Sequence, residues 1–213
     1  MNISWEQIST YAEACASEEP LHLLELRRIT RWNTTWYQML CSPSQGRFIS
    51  LISRLLKPLS ILELGTFTGY SAACLAEGLR EKGSLITLDH NPETMDIAVR
   101  FFDRIKEKRI KPVLTDIGDW FEANKEEKKF DLIFIDADKE KYPYYFEQSV
   151  MRIRSGGVII MDNVLWKGWV IDNSVKDIAA DVLKELTSGI IQRNDFLTML
   201  IPLRDGMLVC FKK

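Results

Sequence analysis

Five short apolar runs, each closing on an acid or a glycine and each followed by a helical stretch, predict an α/β fold built on a mostly parallel sheet. Two further observations complete the architecture. Residues 1–57 contain helical stretches and no strand-like run, which makes them a helical cap in front of a core at 58–213. The chain then ends in two apolar runs joined by Leu203-Arg204-Asp205-Gly206, where Asp-Gly is a hairpin signal. Together these predict a seven-stranded sheet with a C-terminal antiparallel hairpin.

In the cap, Phe48, Ile49, Ile52, Leu55 and Leu56 recur at helical spacing between Gly46 and Leu56. The parallel strands are expected at Ile61-Leu62-Glu63-Leu64, Leu85-Ile86-Thr87-Leu88, Pro112-Val113-Leu114, Leu132-Ile133-Phe134-Ile135 and Val158-Ile159-Ile160-Met161. Their near-continuous hydrophobicity suits strands covered on both faces. The crossover helices fall at about Ser71 to Leu79, Pro92 to Ile105, Asp119 to Ala123, Tyr142 to Ile153 and Val175 to Leu186. Thr198-Met199-Leu200-Ile201-Pro202 and Met207-Leu208-Val209-Cys210-Phe211 form the closing hairpin.

A chain of 213 residues, 46% apolar, suits one domain with a sizeable core. The charge is nearly balanced, 28 basic residues against 30 acidic, so no global field gathers nucleic acid. Basic groupings at Arg27, Arg28 and Arg31 and at Lys125, Lys128 and Lys129 read as solvated helix faces. Cys15, Cys41, Cys74 and Cys210 show no paired spacing and fit reduced thiols. The N-terminus lacks a basic region followed by an apolar stretch, and no segment reaches the roughly 18 apolar residues of a membrane span. A soluble, cytoplasmic protein with no membrane partner is expected.

In open parallel sheets the ligand binds outside the carboxyl ends of the strands. Here those ends are acidic: Glu63, Asp89, Asp116, Asp136 and Asp162 all fall at or just past an apolar run. Any one of them could cap a helix or shape a turn, but five at one rim call for cations or hydroxyl-rich ligands. The first strand continues as Gly65-Thr66-Phe67-Thr68-Gly69-Tyr70-Ser71 into a helix, a turn that offers backbone N–H groups to a ligand. Asp89, 24 residues beyond Gly65, is placed to accept the hydroxyls of a ribose.

The segments Leu62-Glu63-Leu64-Gly65-Thr66-Phe67-Thr68-Gly69-Tyr70-Ser71, Ile135-Asp136-Ala137-Asp138-Lys139 and Asp162-Asn163-Val164-Leu165-Trp166 resemble those of the cation-dependent O-methyltransferases, the caffeoyl-CoA and catechol family. The resemblance runs in order from about Met39 to the C-terminus. It implies a Rossmann-like class I methyltransferase fold, S-adenosylmethionine as cofactor and a homodimer. By the same resemblance, Glu63, Gly65 and Ser71 would hold the methionine part of that cofactor and Asp89 its ribose. Asp116 and Ile117 would border the adenine, and Met39 would lie alongside. Asp136, Asp162 and Asn163 match the metal ligands, Asp136 having a share in cofactor binding and catalysis as well. Lys139 matches the proposed general base.

The donor chemistry agrees independently. Two carboxylates and an amide oxygen suit Mg²⁺, Mn²⁺ or Ca²⁺, whereas two distant histidines, His22 and His90, and unpaired cysteines do not suggest zinc. A divalent cation lowers the pKa of a bound hydroxyl and chelates vicinal oxygens, so the expected substrate is a small catechol-like or caffeoyl-type aromatic. Lys139 can act as a base only if its own pKa is depressed, and a nearby metal together with partial burial would push it that way. The alternatives are methylation of a hydroxylated uridine in tRNA and a catalytically silent adenosyl-binding protein. Trp166 and Trp169 either wall the substrate pocket or pack in the core. The segment before the cap helix, Leu40-Cys41-Ser42-Pro43-Ser44-Gln45-Gly46, departs from the plant caffeoyl-CoA enzymes, which carry acidic residues near the position of Gln45.

Overall fold

A computed structural model describes residues 4–125 and 129–213; Lys128 of the second basic grouping and the first three residues of the N-terminal segment lie outside them. The cap comprises α1 (Trp5–Ala14), α2 (Leu21–Asn33), a 3₁₀ turn at Tyr37–Met39 and α3 (Pro43–Leu56). Helix α3 starts where it does for a local reason. The Ser42 hydroxyl accepts from the Gln45 backbone N–H, the Gln45 side chain accepts from the Ser42 N–H, and Pro43 occupies the first turn.

The core alternates as expected: β1 (Ser60–Leu64), α4 (Tyr70–Ala76), β2 (Ser84–Asp89), α5 (Pro92–Arg104), β3 (Ile110–Leu114), α6 (Ile117–Ala123), β4 (Phe130–Ile135), α7 (Tyr142–Arg152), β5 (Ile153–Asp162), α8 (Ile178–Ile190), β6 (Phe196–Ile201) and β7 (Met207–Lys212). The strand order is β3-β2-β1-β4-β5-β7-β6, with β7 antiparallel to both its neighbours. Strand order reverses between β1 and β4, so the crevice of the sheet opens at the ends of those two strands.

Successive side chains of each strand enter opposite layers. Leu132 and Phe134 pack with Ile61, Leu85 and Ile160 beneath α2 to α5, while Ile133 and Ile135 pack with Leu62, Ile159 and Met161 beneath α6 to α8. Leu23, Leu26 and Ile49 of the cap belong to the first of these layers, so cap and sheet share one core. Pro112 is accommodated because β3 lies at the sheet edge.

Several boundaries differ from expectation, among them the end of α4 at Ala76, the start of α6 at Ile117 and the end of α8 at Ile190, and two have a plain local cause. Strand β5 begins at Ile153, well before the apolar run, because Ile153 pairs with Phe130 and the polar stretch after it, with Gly156 at φ 74°, bulges out before Val158 resumes the pairing at Leu132. Helix α8 begins at Ile178 instead of Val175, since Asp177 caps it by accepting the Ala180 N–H. All four cysteines are free, and among the described residues no helix is long and apolar enough to cross a membrane.

Candidate active site

The turn after β1 is a backbone constraint before it is a ligand site. Gly65 has φ 102°, and a Cβ there would overlap the carbonyl oxygen of Asp136 at the end of the neighbouring strand. Asp89 holds the same turn from the other side: Oδ2 accepts the N–H groups of Thr66 (3.1 Å) and Phe67 (2.8 Å), and Oδ1 that of Asn91 (2.9 Å). The turn is thereby fixed at the mouth of the crevice.

Glu63 lies fully buried beneath it. Its Oε2 accepts from the Thr87 hydroxyl at 2.5 Å, yet Oε1 has no partner among the described residues. Burial pushes this carboxyl up to about 8, against the opposing hydrogen bond from Thr87. A buried acceptor without a donor is costly unless a ligand supplies one.

Asp136 and Asp162 end the adjacent strands β4 and β5, and their carboxylate oxygens converge with Cys41 Sγ, all three within 4.8 Å of one another. Asn163 follows at φ 58°, a left-handed turn that asparagine tolerates, with its N–H on Asp162 Oδ1 at 2.7 Å. Burial, then the charge of Asp136, pushes Asp162 above the usual carboxylate range.

Lys139 is buried, with Nζ 2.9 Å from Asp136 Oδ1 and 2.6 Å from Tyr142 Oη. Of the two influences expected to depress Lys139, a nearby metal and partial burial, burial by itself does not prevail against the protein neighbours. Burial alone lowers the ammonium's pKa, but Asp136 and Tyr142 outweigh it and hold Lys139 firmly protonated. Tyr142, fully buried, also reaches the carbonyl oxygens of Ile135 (3.1 Å) and Asp162 (3.0 Å), the strand ends flanking the carboxylates.

The remaining expected residues sit further out. Asp116 caps α6 by accepting the Gly118 N–H at 2.7 Å, and Ile117 is buried beside it. Met39 is exposed, and its segment is fixed through Arg204, which donates to the carbonyls of Gln38 and Leu40. Trp166, partly buried, packs against the α6 to α8 layer and donates its indole N–H to Asp177 at 2.9 Å; Lys167 Nζ stands 4.5 Å above the ring of Trp169.

Sequence reasoning missed Gln45, Cys41 and Tyr142. Gln45 Nε2 reaches both oxygens of Asp162 at 2.8 Å, and Cys41 Sγ lies 3.8 Å from Asp162 Oδ2. The capping box at Ser42 and Gln45 was a legible local signal, but nothing local pointed it at Asp162.

An O-methyltransferase family profile matches residues 12–213. The chain belongs to the O-methyltransferase family. Among curated proteins, caffeoyl-CoA O-methyltransferase 1 of Nicotiana tabacum is 29% identical over 203 residues, 90% of this chain and 84% of that protein. The mouse catechol O-methyltransferase domain-containing protein 1 is 31% identical over 173 residues, 79% of this chain and 66% of that protein. Among solved structures, the O-methyltransferase from Bacillus cereus in complex with SAH superposes with a TM-score of 0.86 at 28% identity, covering 97% of each chain. The SAH-bound methyltransferase of Podospora anserina gives 0.87 at 26% identity over 100% of this chain and 98% of that one. The family membership and the class I methyltransferase fold expected from the three motifs are thus borne out, and within that family the protein is an enzyme of methyl transfer to oxygen.

Proposed function

We propose that this enzyme transfers the methyl group of S-adenosylmethionine to one oxygen of a small vicinal-dihydroxy aromatic, catechol-like or caffeoyl-type, with a divalent cation held by Asp136, Asp162 and Asn163. The observation that carries it is the convergence of the Asp136 and Asp162 oxygens at the ends of adjacent strands, beside the glycine turn. Two hard carboxylates with a neighbouring amide fit Mg²⁺, Mn²⁺ or Ca²⁺. The orphaned Glu63 Oε1 fits the ammonium of the cofactor's methionine part.

Each residue then has a task. Glu63 and Ser71 hold the amino-acid end, Gly65 leaves the backbone room for it, and Asp89 keeps the turn in shape while its Oδ1, which has a lone pair left, accepts from the ribose. Asp116 and Ile117 border the adenine, with Met39 at the outer edge. S-adenosylmethionine supplies an activated methyl group with its own leaving group, so the protein's main work is alignment in a water-poor site. A bound cation would lower the acceptor hydroxyl's pKa and take up the Asp136 charge that keeps Lys139 protonated. Lys139 Nζ, once neutral, is the acceptor for the hydroxyl proton. Tyr142 orients Nζ throughout.

The partner reading extends to a homodimer, supported by Leu197, Met199 and Phe211, which leave one face of the β6–β7 hairpin apolar and exposed. The deciding experiment is transfer of labelled methyl from S-adenosylmethionine to a panel of catechols and caffeoyl derivatives, with Mg²⁺ and with EDTA. Transfer with Mg²⁺ that is lost in EDTA is expected. Transfer unaffected by EDTA would sink the cation; transfer to tRNA and to none of the panel would replace the substrate class.

A further inference from the structure

Zinc had little support along the chain, because neither histidines nor cysteines are paired in sequence. The fold assembles a different donor set from three separate segments. Cys41 comes from the link between the cap's 3₁₀ turn and α3, Asp136 from the end of β4 and Asp162 from the end of β5. The Cys41 side chain is buried, and its Sγ stands 3.8 Å from Asp162 Oδ2. With Zn–S near 2.3 Å and Zn–O near 2.1 Å, the S···O edge of a tetrahedron around zinc is about 3.6 Å. The separation of the thiol from the carboxylate oxygen is therefore close to that of two ligands on one ion, and the third donor also falls within 4.8 Å of both. Among the described residues the other buried thiols lack such company: Cys74 lies against the Arg47 guanidinium, and Cys210 pairs into the sheet opposite Ile159 and Thr198.

We propose that Cys41 makes this centre thiophilic, so that a zinc, cadmium or cobalt(II) ion binds through Cys41 Sγ and one oxygen each of Asp136 and Asp162, shutting out the hard cation of the methyl-transfer reaction. The proposal rests on the cation site assigned above and adds to it a second class of ion with the opposite effect. Binding is a ligand exchange: the metal–sulfur bond replaces the thiol S–H bond, the proton leaves to solvent, and nothing is oxidised or reduced. Soft thiolate ligation favours these ions over Mg²⁺, which gains nothing from sulfur.

The test is a titration of the full-length, metal-stripped protein with cobalt(II), followed in the near ultraviolet for a thiolate-to-cobalt charge-transfer band. One band saturating at one equivalent is expected in the wild type and in Cys15→Ser, with none in Cys41→Ser. Calorimetry on the same samples should show zinc affinity falling at least tenfold in Cys41→Ser while that protein still binds Mg²⁺, which also shows that it is folded. No thiolate band in the wild type, or a band undiminished in Cys41→Ser, overturns the proposal. Absence of Mg²⁺ binding in the wild type beside an intact, Cys41-dependent cobalt band would instead overturn the hard-cation reading and leave the thiophilic site standing.

Discussion

Gln45 Nε2 lies 2.8 Å from both carboxylate oxygens of Asp162, and its own Oε1 accepts from the Ser42 N–H at 2.9 Å and from Arg204 at 3.4 Å. The amide is therefore oriented by the cap and by the β6–β7 hairpin before it meets the carboxylate. Gln45→Leu removes the donor from a buried charge and should cost about 1.5–3 kcal/mol of stability. The Mg²⁺ concentration for half-maximal activity should rise about tenfold, in the manner of an outer-shell partner. Denaturant unfolding and the metal dependence of transfer check both.

Asp162→Ala removes a cation ligand, and methyl transfer should fall by at least about 100-fold, as far as EDTA takes the wild type. S-adenosylmethionine affinity measured by calorimetry should change little, because Glu63 and Asp89 stand on other strands. A variant retaining half its activity would contradict the ligand assignment.

Glu63 links the cofactor pocket to pH. Burial holds its folded pKa at about 8, against roughly 4.3 for a free glutamate. Between those values the folded chain keeps a proton that the unfolded chain has released, so stability is full below the lower value and declines as pH rises toward 8. The slope is on the order of 1 kcal/mol per pH unit. Melting temperatures of the cofactor-free protein should fall from pH 6 to pH 8 more steeply than those of Glu63→Gln, which also loses cofactor affinity.

Tyr142→Phe deletes the hydroxyl that accepts from Lys139 and reaches the carbonyls of Ile135 and Asp162. Stability should drop by about 1–3 kcal/mol. The informative readout is kinetic: kcat should fall about tenfold or more with KM for S-adenosylmethionine unchanged, since Lys139 loses its orientation and the glycine turn does not.

Gly65→Ala places a methyl against the Asp136 carbonyl oxygen at a backbone conformation unsuited to L side chains. A loss of several kcal/mol is expected, with cofactor binding abolished in whatever protein remains folded. Thermal unfolding with and without S-adenosylmethionine measures it, and a wild-type ligand-induced shift in the variant would refute the constraint.

Much of this molecule was legible along the chain. Runs such as Leu132 to Ile135 announce themselves because a strand covered on both faces must be apolar at every position, and Asp205-Gly206 announces a turn because few residue pairs suit one so well. The rim acids Asp136 and Asp162 were legible for the same reason, as the polar residues that stop such runs. The first half of β5 was not: Arg154, Ser155 and Gly156 carry no strand signal, and they continue the strand only as a bulge between Ile153 and Val158, which pair with Phe130 and Leu132 of β4.

The sequence by itself thus determined the sheet, its hairpin and the residues at its carboxyl ends, since these depend on periodicity and turn chemistry within a few positions. Only the tertiary structure decided what those residues face. Cys41 and Gln45 meet Asp162 across 121 and 117 residues of chain because Ile49 seats α3 on the shared core and Arg204 clasps the preceding segment to the hairpin. Such a meeting depends on how helices pack against a sheet, and local patterning records that a face is buried without recording which face it meets.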